Sequence, residues 1–189
     1  MRKIISVLFV LLAAGVLGHA TTLVRMNLDD LTAESQTVVY ARIAASRTEW
    51  SDDHKVILTI YTVEPLEYLK GQLGTSFELR ELGGEKDGLM MTVPSVPVFS
   101  VGQEAVLFVW TDPLGRHQAT GFEQGSLSVR TDPATGLKSV DRALLLGSAQ
   151  ASSSASAAPA SKLLTELFSQ IRTSAAKAAK AGSGKGSAQ

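Results

Sequence analysis

The sequence has few of the nitrogen and sulfur side chains that bind zinc. It has no cysteine and three histidines, of which His54 and His117 lie outside the apolar N-terminal stretch. The densest group of candidate ligands is Asp52-Asp53-His54, in a polar stretch that is typical of a hairpin turn. Three adjacent residues in a loop cannot all reach one ion unless ligands from elsewhere complete the site. We therefore interpret these residues as a solvent-exposed turn and predict neither a metal site nor a cofactor.

Nucleophilic catalysis needs a nucleophile, a base and a group that orients the base. Gly125-Ser126-Leu127 lacks the Gly-x-Ser-x-Gly pattern of a nucleophile elbow, so Ser126 is interpreted as the beginning of a hairpin strand. Thr21 would carry a free α-amine beside its hydroxyl after removal of a leader, as N-terminal threonine hydrolases do. Leader removal alone accounts for that arrangement. The sequence therefore predicts no catalytic residue.

Carboxylates are the remaining candidates for acid–base chemistry, because a pair of them can serve a glycosidase. Five glutamates lie in or beside predicted strands: Glu64, Glu67, Glu78, Glu81 and Glu104. The strand alternation places most of them on exposed faces. We therefore expect these carboxylates to be solvated rather than to form a site.

Aromatic residues in a barrel can stack on nucleic-acid bases, but no stripe of basic residues accompanies the aromatic rings here. Residues 21–147 hold 11 Lys and Arg against 17 Asp and Glu, a net charge of −6. An acidic domain argues against nucleic-acid binding. Tyr61 and Trp110 are therefore expected to pack in the core.

The N-terminus has the layout of a secretory signal peptide. Arg2 and Lys3 precede the apolar run 4–17, and Gly18-His19-Ala20 places small residues where a signal peptidase cleaves. The run is shorter than the roughly 20 residues that span a bilayer. We therefore predict a leader over 1–20 and an exported protein, periplasmic or secreted.

The stretch 21–147 is predicted to be one β-rich domain. Asn27 can cap a short helix over 28–35, and alternating apolar residues indicate short strands. The predicted strands cover 37–44, 56–63, 76–82, 104–110, 118–121, 126–130 and 137–140, with an edge strand near 90–93. Pro65 is expected to end the second strand, because proline cannot donate to a sheet ladder.

After Gly147 the composition changes. Residues 148–160 are almost entirely Ala and Ser and are predicted to be a linker. Ser161 can cap an amphipathic helix over 161–181, and a disordered tail is expected over 182–189. Five apolar residues fall on one face of this helix: Leu163, Leu164, Leu167, Phe168 and Ile171.

Two interpretations of that helix stay open. It can fold back on its own domain, or it can dock on a partner or a membrane surface through those five residues. Residues 148–189 carry five Lys and Arg against one Glu, a net charge of +4. Such a tail can make weak contact with an anionic membrane surface.

Many short strands, one short helix and no βαβ rhythm predict a mainly β fold: a small antiparallel OB-like barrel with one short N-terminal helix, plus a separate C-terminal helix. A β-sandwich is the alternative. Strands 56–63 and 104–110 are apolar on both faces, as expected in a barrel that a helix covers.

The stretches 64–71 (EPLEYLKG) and 97–104 (PVFSVGQE), between strands in this order, resemble a group of exported bacterial proteins without assigned function. The layout is also similar to netrin-like domains, the OB-type barrels that include tissue inhibitors of metalloproteinases. The resemblance implies a barrel and binding rather than catalysis. Netrin-like inhibitors rely on disulfides and an N-terminal cysteine, where this chain has Thr21 and Thr22, so no inhibitory residue carries over.

The sequence therefore predicts a non-catalytic exported module that binds a protein or a cell-envelope component. Two alternatives remain: a small hydrolase whose site forms only in the fold, and a carrier that holds a small ligand inside the barrel. Ala41 and Ala105 are small enough to leave room there. A pocket containing a carboxylate or histidine with a strongly shifted pKa would favour the hydrolase.

Overall fold

A short helix precedes two long strands, both of which extend beyond their apolar stretches. The computed structural model describes residues 25–141 and 161–183. The predicted leader 1–20, the linker 148–160 and most of the tail 182–189 lie outside them. The elements are α1 (Leu28–Glu34), β1 (Thr37–Trp50), β2 (Ile57–Lys70), β3 (Phe77–Leu82), β4 (Gly84–Lys86), β5 (Leu89–Met91), β6 (Glu104–Thr111), β7 (His117–Ala119), a 3-10 turn (Phe122–Gly125), β8 (Ser126–Thr131), β9 (Lys138–Asp141), β10 (Ser161–Leu163) and α2 (Leu164–Ser183).

Five of the strands close into a barrel. Their order is β1-β2-β3-β7-β6, and β6 pairs back with β1 to complete the circle. Neighbours in the barrel are antiparallel except β3 and β7, which meet in parallel at Leu79 and His117. The predicted mainly β fold with an OB-like barrel is confirmed, and the sandwich alternative is wrong.

Pro65 does not end β2, so that prediction is wrong. β2 runs on to Lys70, with Pro65 opposite Ala41 of β1. The pairing between β2 and β3 ends at Val63. Beyond that residue β2 has a strand on one side only, and a strand edge tolerates the missing N–H of a proline.

Two core clusters lie on opposite faces of the barrel wall, and β6 contributes to both. Ala105, Leu107 and Val109 belong to the inner cluster, which lies inside the barrel. Val106 and Phe108 belong to the outer cluster, which lies between the barrel and the helices. All five side chains are fully buried. Both faces of β6 are therefore covered, as the sequence predicted.

The barrel interior is packed with side chains. Ala41 and Ala105 face each other across β1 and β6, and both are fully buried. Their neighbours in the inner cluster include Ile43, Val63 and Leu79. Side chains of this size fill the space that the two alanines leave.

Candidate functional site

An apolar pocket lies where the chain between β3 and β6 folds back over β2 and β3. Its volume is about 260 Å³. Thr59 and Tyr61 of β2 and Glu81 of β3 contribute polar groups to it. The opposite wall comes from β5 and the segment that follows it, through Met90, Met91, Val93, Val96, Pro97 and Val98. We call this the Glu81 pocket.

Two glycines allow the chain to turn from β3 into this wall. Gly83 has φ +99° and Gly84 has φ +129°, conformations that residues with a side chain rarely adopt. A Cβ on Gly83 would lie 2.8 Å from the carbonyl oxygen of Met91, and one on Gly84 would lie 2.6 Å from Oγ1 of Thr59. The Gly-Gly pair therefore permits the close packing that forms the pocket.

Glu81 is the buried carboxylate of the pocket, with 6% of its surface exposed. The backbone N–H of Ala119 donates to its Oε1 at 2.8 Å. Burial raises the pKa of Glu81 to about 7, and the hydrogen bond from Ala119 opposes part of that rise. Because an ionised carboxylate can accept about four hydrogen bonds, most of its acceptor capacity is left for a group that enters the pocket.

Two further polar side chains of the pocket, Thr59 and Tyr61, form hydrogen bonds with the backbone. The hydroxyl of Thr59 donates to the carbonyl of Gly83 at 2.7 Å. The hydroxyl of Tyr61 accepts from the N–H of Phe99 at 3.3 Å, and the two rings pack edge to face with centroids 5.0 Å apart. Burial raises the pKa of Tyr61, and the charge of Glu81 adds to the rise.

Large apolar side chains are exposed along the rim of the pocket. The exposed fractions are 74% for Met90 and 83% for Val98, both of which line the pocket. Leu82, on the β3 side, is exposed to 37%. Exposed apolar side chains grouped around one pocket are typical of a binding surface.

The prediction that Glu81 is solvated is wrong. The alternation of β3 indicates that this side chain points inward. Phe77 and Leu79 of β3 face the inner core cluster. Side chains two residues apart on a strand share a face, so Glu81 is in phase with these two residues. The alternation continued by one more step points Glu81 inward.

The other four candidate glutamates are paired with cations. Glu64 accepts from Arg42 at 2.7 Å, Glu78 lies 2.8 Å from Arg47, and Glu67 pairs with Arg172. The fourth, Glu104, accepts from Nζ of Lys138 at 2.6 Å and from the hydroxyl of Tyr40. Glu64, Glu67 and Glu78 stay partly exposed, as the sequence predicted.

Glu104, Tyr40 and Lys138 form a hydrogen-bonded cluster beneath α2. Nζ of Lys138 also donates to the hydroxyl of Tyr40 at 2.7 Å. The ring of Tyr40 packs against that of Phe168, with centroids 5.5 Å apart. The hydrogen bonds from Lys138 and Tyr40 outweigh burial and lower the pKa of Glu104. These mutual contacts indicate that the cluster joins the barrel to the helix.

The residues considered for a metal site and for nucleophilic catalysis are not brought together. Asp53 accepts from the hydroxyl of Ser51 at 2.7 Å within the exposed turn that holds His54. Within residues 25–141 and 161–183, no group of three or more potential ligands could hold a metal ion. Ser126 pairs with Leu107 at the beginning of β8, and Thr21 lies outside the described residues.

The two aromatic residues expected in the core have different environments. Tyr61 is buried, with 3% of its surface exposed, but Trp110 is exposed to 39%. Trp110 is in phase with Val106 and Phe108, which the outer cluster covers. It follows them on β6 and lies outside that cluster, so the prediction for Trp110 is wrong.

The C-terminal helix folds back on the barrel and is not separate from it. The outer cluster includes Leu164, Leu167, Phe168 and Ile171, all buried. Leu163 is the exception, with 48% of its surface exposed. In this arrangement the four buried side chains contact the protein's own core. Docking of the five residues on a partner stays a prediction, and it would require the helix to leave the barrel.

The helix begins later than its sequence predicts. Ser161 was expected to cap it, but Ser161 lies in β10 and pairs with Asp141 of β9. The helix therefore starts at Leu164. Ser174 and Lys177 contact Asp29 of α1, so polar contacts along one side hold the two helices together.

Comparison of the chain with models of known protein families finds no match, and no curated protein matches it at a significant level. Among the described residues, no helix is long and apolar enough to cross a bilayer. The Glu81 pocket is therefore interpreted from its own geometry: a small apolar cavity with one buried carboxylate and an exposed apolar rim.

Proposed function

We propose that this chain is a non-catalytic exported binding module, and that the Glu81 pocket receives an apolar side chain or stem of a protein or cell-envelope partner. The apolar rim carries this proposal. Met90 and Val98 expose more than half of their surface where they line a cavity, and exposed apolar residues grouped at a cavity are typical of a binding surface. The predicted leader over 1–20, with its apolar run 4–17, supports export.

The size of the pocket limits what it can receive. Its volume is about 260 Å³. A cavity of about 150 Å³ holds benzene, whereas pockets for drug-sized ligands and cofactors begin at about 300 Å³. One side chain or a short stem therefore fits better than a cofactor. The thioethers of Met90 and Met91 are flexible and polarizable, which suits a wall that adapts to its occupant.

The binding proposal predicts that a charge on the rim abolishes capture of the partner. The full chain, the Met90→Glu variant and the matched Leu137→Glu variant are used in crosslinked capture from an envelope extract of the native host. Leu137 is exposed to 55% and lies just before β9, away from the residues that line the pocket. We expect a partner to be retained by the full chain and by Leu137→Glu, and lost with Met90→Glu.

Two outcomes of that experiment count against the proposal. A partner retained equally by Met90→Glu would bind elsewhere on the protein. Absence of any specific partner for the full chain would remove the support for a binding module. Equal melting temperatures of the three proteins serve as the control for folding.

A second candidate function is hydrolysis with Glu81 as the general base. The observation that favours it is a buried carboxylate whose pKa is raised to about 7, as a base acting near neutral pH requires. The hydroxyl of Thr59, which a base could activate, already donates to Gly83. Hydrolysis predicts turnover of ester or glycoside substrates that rises with pH through about 7 and is lost in Glu81→Gln. No turnover by the full chain removes this candidate.

A further inference from the structure

We propose that the Glu81 pocket selects a primary ammonium group on an apolar stem, the chemistry that a lysine side chain shares with a free alkylamine. The inference rests on the proposed function, since it names the kind of group that the pocket receives. It follows from the polar groups that the pocket presents, from their charge and from the apolar wall around them.

The buried carboxylate of Glu81 is the main hydrogen-bond acceptor of the pocket. The carboxylate of Glu81 accepts from Ala119 and has further acceptor capacity. The hydroxyl proton of Thr59 is already donated to the carbonyl of Gly83. A group that enters and donates hydrogen bonds can use the remaining acceptor capacity of the carboxylate. A ligand that only accepts hydrogen bonds cannot use that capacity.

Both charged side chains that line the pocket are acidic. Glu81 and Glu85 line it, and none of its described lining residues is Lys, Arg or His. A buried carboxylate without a counter-charge is costly to ionise, which is the cause of its raised pKa. A cation that enters the pocket supplies that counter-charge, whereas an anion would be repelled.

The rest of the pocket favours an apolar stem behind the charged group. Met91, Val93 and Val96 line it beside Glu81. A lysine side chain combines a four-carbon stem with a terminal ammonium that donates three hydrogen bonds. Such a group can place its stem against this wall while its ammonium reaches the carboxylate. An isolated inorganic cation would gain nothing from the wall.

Tyr61 of β2 and Glu85 of β4 line the pocket with Glu81, and His117 lies on β7, whose Ala119 donates to that carboxylate. Burial raises the pKa of Tyr61, so its phenol stays neutral at pH 8. Burial lowers the pKa of His117, and the charge of Asp112 opposes that change in part. The imidazole is therefore neutral at the same pH, and Glu81 is the group in the pocket that ionises near pH 7.

The test compares three probes with equal stems and different charges: pentylamine, pentanol and pentanoate. Each is titrated into the full chain at pH 8, with NMR of isotope-labelled methionine methyl groups as the readout. Met90 and Met91 line the pocket, while Met26 packs on the outer core cluster and serves as the internal control. We expect pentylamine to shift Met90 and Met91 with an affinity about tenfold above that of pentanol, and pentanoate to bind weakest.

Two matched variants assign the selectivity to one carboxylate. Glu81→Gln is expected to bind pentylamine and pentanol about equally, and Glu85→Gln is expected to keep the preference for the amine. A change of pH tests the same point without a substitution: the affinity of the unaltered chain for pentylamine should fall about tenfold from pH 8 to pH 6, as Glu81 takes up its proton.

The failures of the two proposals are distinguishable. Equal affinity of the unaltered chain for pentylamine and pentanol overturns the ammonium inference and leaves the apolar pocket in place. A preference that survives in Glu81→Gln and disappears in Glu85→Gln also overturns it. If none of the three probes shifts Met90 or Met91, both the ammonium inference and the proposed pocket are overturned.

A peptide arm separates the two sources of the ammonium group. A Gly-Ser peptide with a single lysine is compared with the same peptide carrying acetyl-lysine, which has lost the charge. Binding of the lysine peptide alone, at least as tight as that of pentylamine, identifies a protein partner. Binding of pentylamine without the lysine peptide identifies a free amine. Equal binding of the two peptides contradicts selection of an ammonium.

Discussion

Replacing Leu167 with alanine is expected to lower the free energy of unfolding by about 2–5 kcal/mol, the usual loss for a buried leucine. The side chain of Leu167 is fully buried and belongs to the same cluster as Val106 and Phe108 of β6. Its removal leaves a cavity between α2 and the barrel, which the close-packed surroundings fill only in part. Urea unfolding of the full chain, followed by far-UV circular dichroism, measures the change.

Leu163→Ala is the matched control, because Leu163 is exposed to 48% and is adjacent to the same helix. We expect this variant to stay within about 0.5 kcal/mol of the unaltered chain. If Leu167→Ala and Leu163→Ala have equal stability, the helix does not belong to the core in solution. That result would favour its alternative role as a docking helix.

The second large effect concerns pH: the contribution of Glu81 should lower the free energy of unfolding by about 3 kcal/mol from pH 4.5 to pH 8. Its pKa is raised from 4.5 to about 7 in the folded protein. Below pH 4.5 the carboxyl is mostly protonated in both states. As the pH rises towards 7 the unfolded chain ionises first, which favours unfolding by about 1.4 kcal/mol for each unit of the pKa difference. Above pH 7 the folded protein ionises as well and the loss levels off.

The difference between the full chain and Glu81→Gln isolates this contribution. Asp29, Asp112 and Asp132 have lowered pKa values from their hydrogen bonds, so they stabilise the fold above their usual pKa and act in both proteins alike. We expect Glu81→Gln to gain stability over the unaltered chain as the pH rises. Glu78→Gln, on the exposed face of β3, is the control and should show no such gain. Parallel curves for Glu81→Gln and the unaltered chain would mean that this carboxyl is solvated.

Strand positions were predictable where apolar residues alternate, and their lengths were not. The alternation that predicts the first strand stops at Ala44, yet β1 continues to Trp50. Residues 45–50 pair with 57–62 of β2, so backbone hydrogen bonds to a neighbouring strand extend β1 through polar residues. Such pairing depends on the partner strand, which the local pattern of one strand does not reveal.

The candidate site could be predicted only in part from the sequence. The phase of Phe77 and Leu79 predicts that Glu81 points inward, and the Gly83-Gly84 pair indicates a sharp change of direction after β3. The return of the chain over β2 follows no periodic pattern, since Pro94 and Pro97 fix an irregular path. The apolar face of α2 was predictable because its apolar residues recur at helical spacing. The surface on which it packs was not predictable, because that surface lies on strands distant in sequence.

The position of α2 in the outer cluster limits when that cluster can form during synthesis. Leu31, near the beginning of the described residues, shares that cluster with Ile171 near their end. The cluster therefore cannot close until α2 has left the ribosome, even if the earlier strands have already paired. A chain that stops short of α2 would expose the apolar residues of the outer cluster to chaperones and proteases.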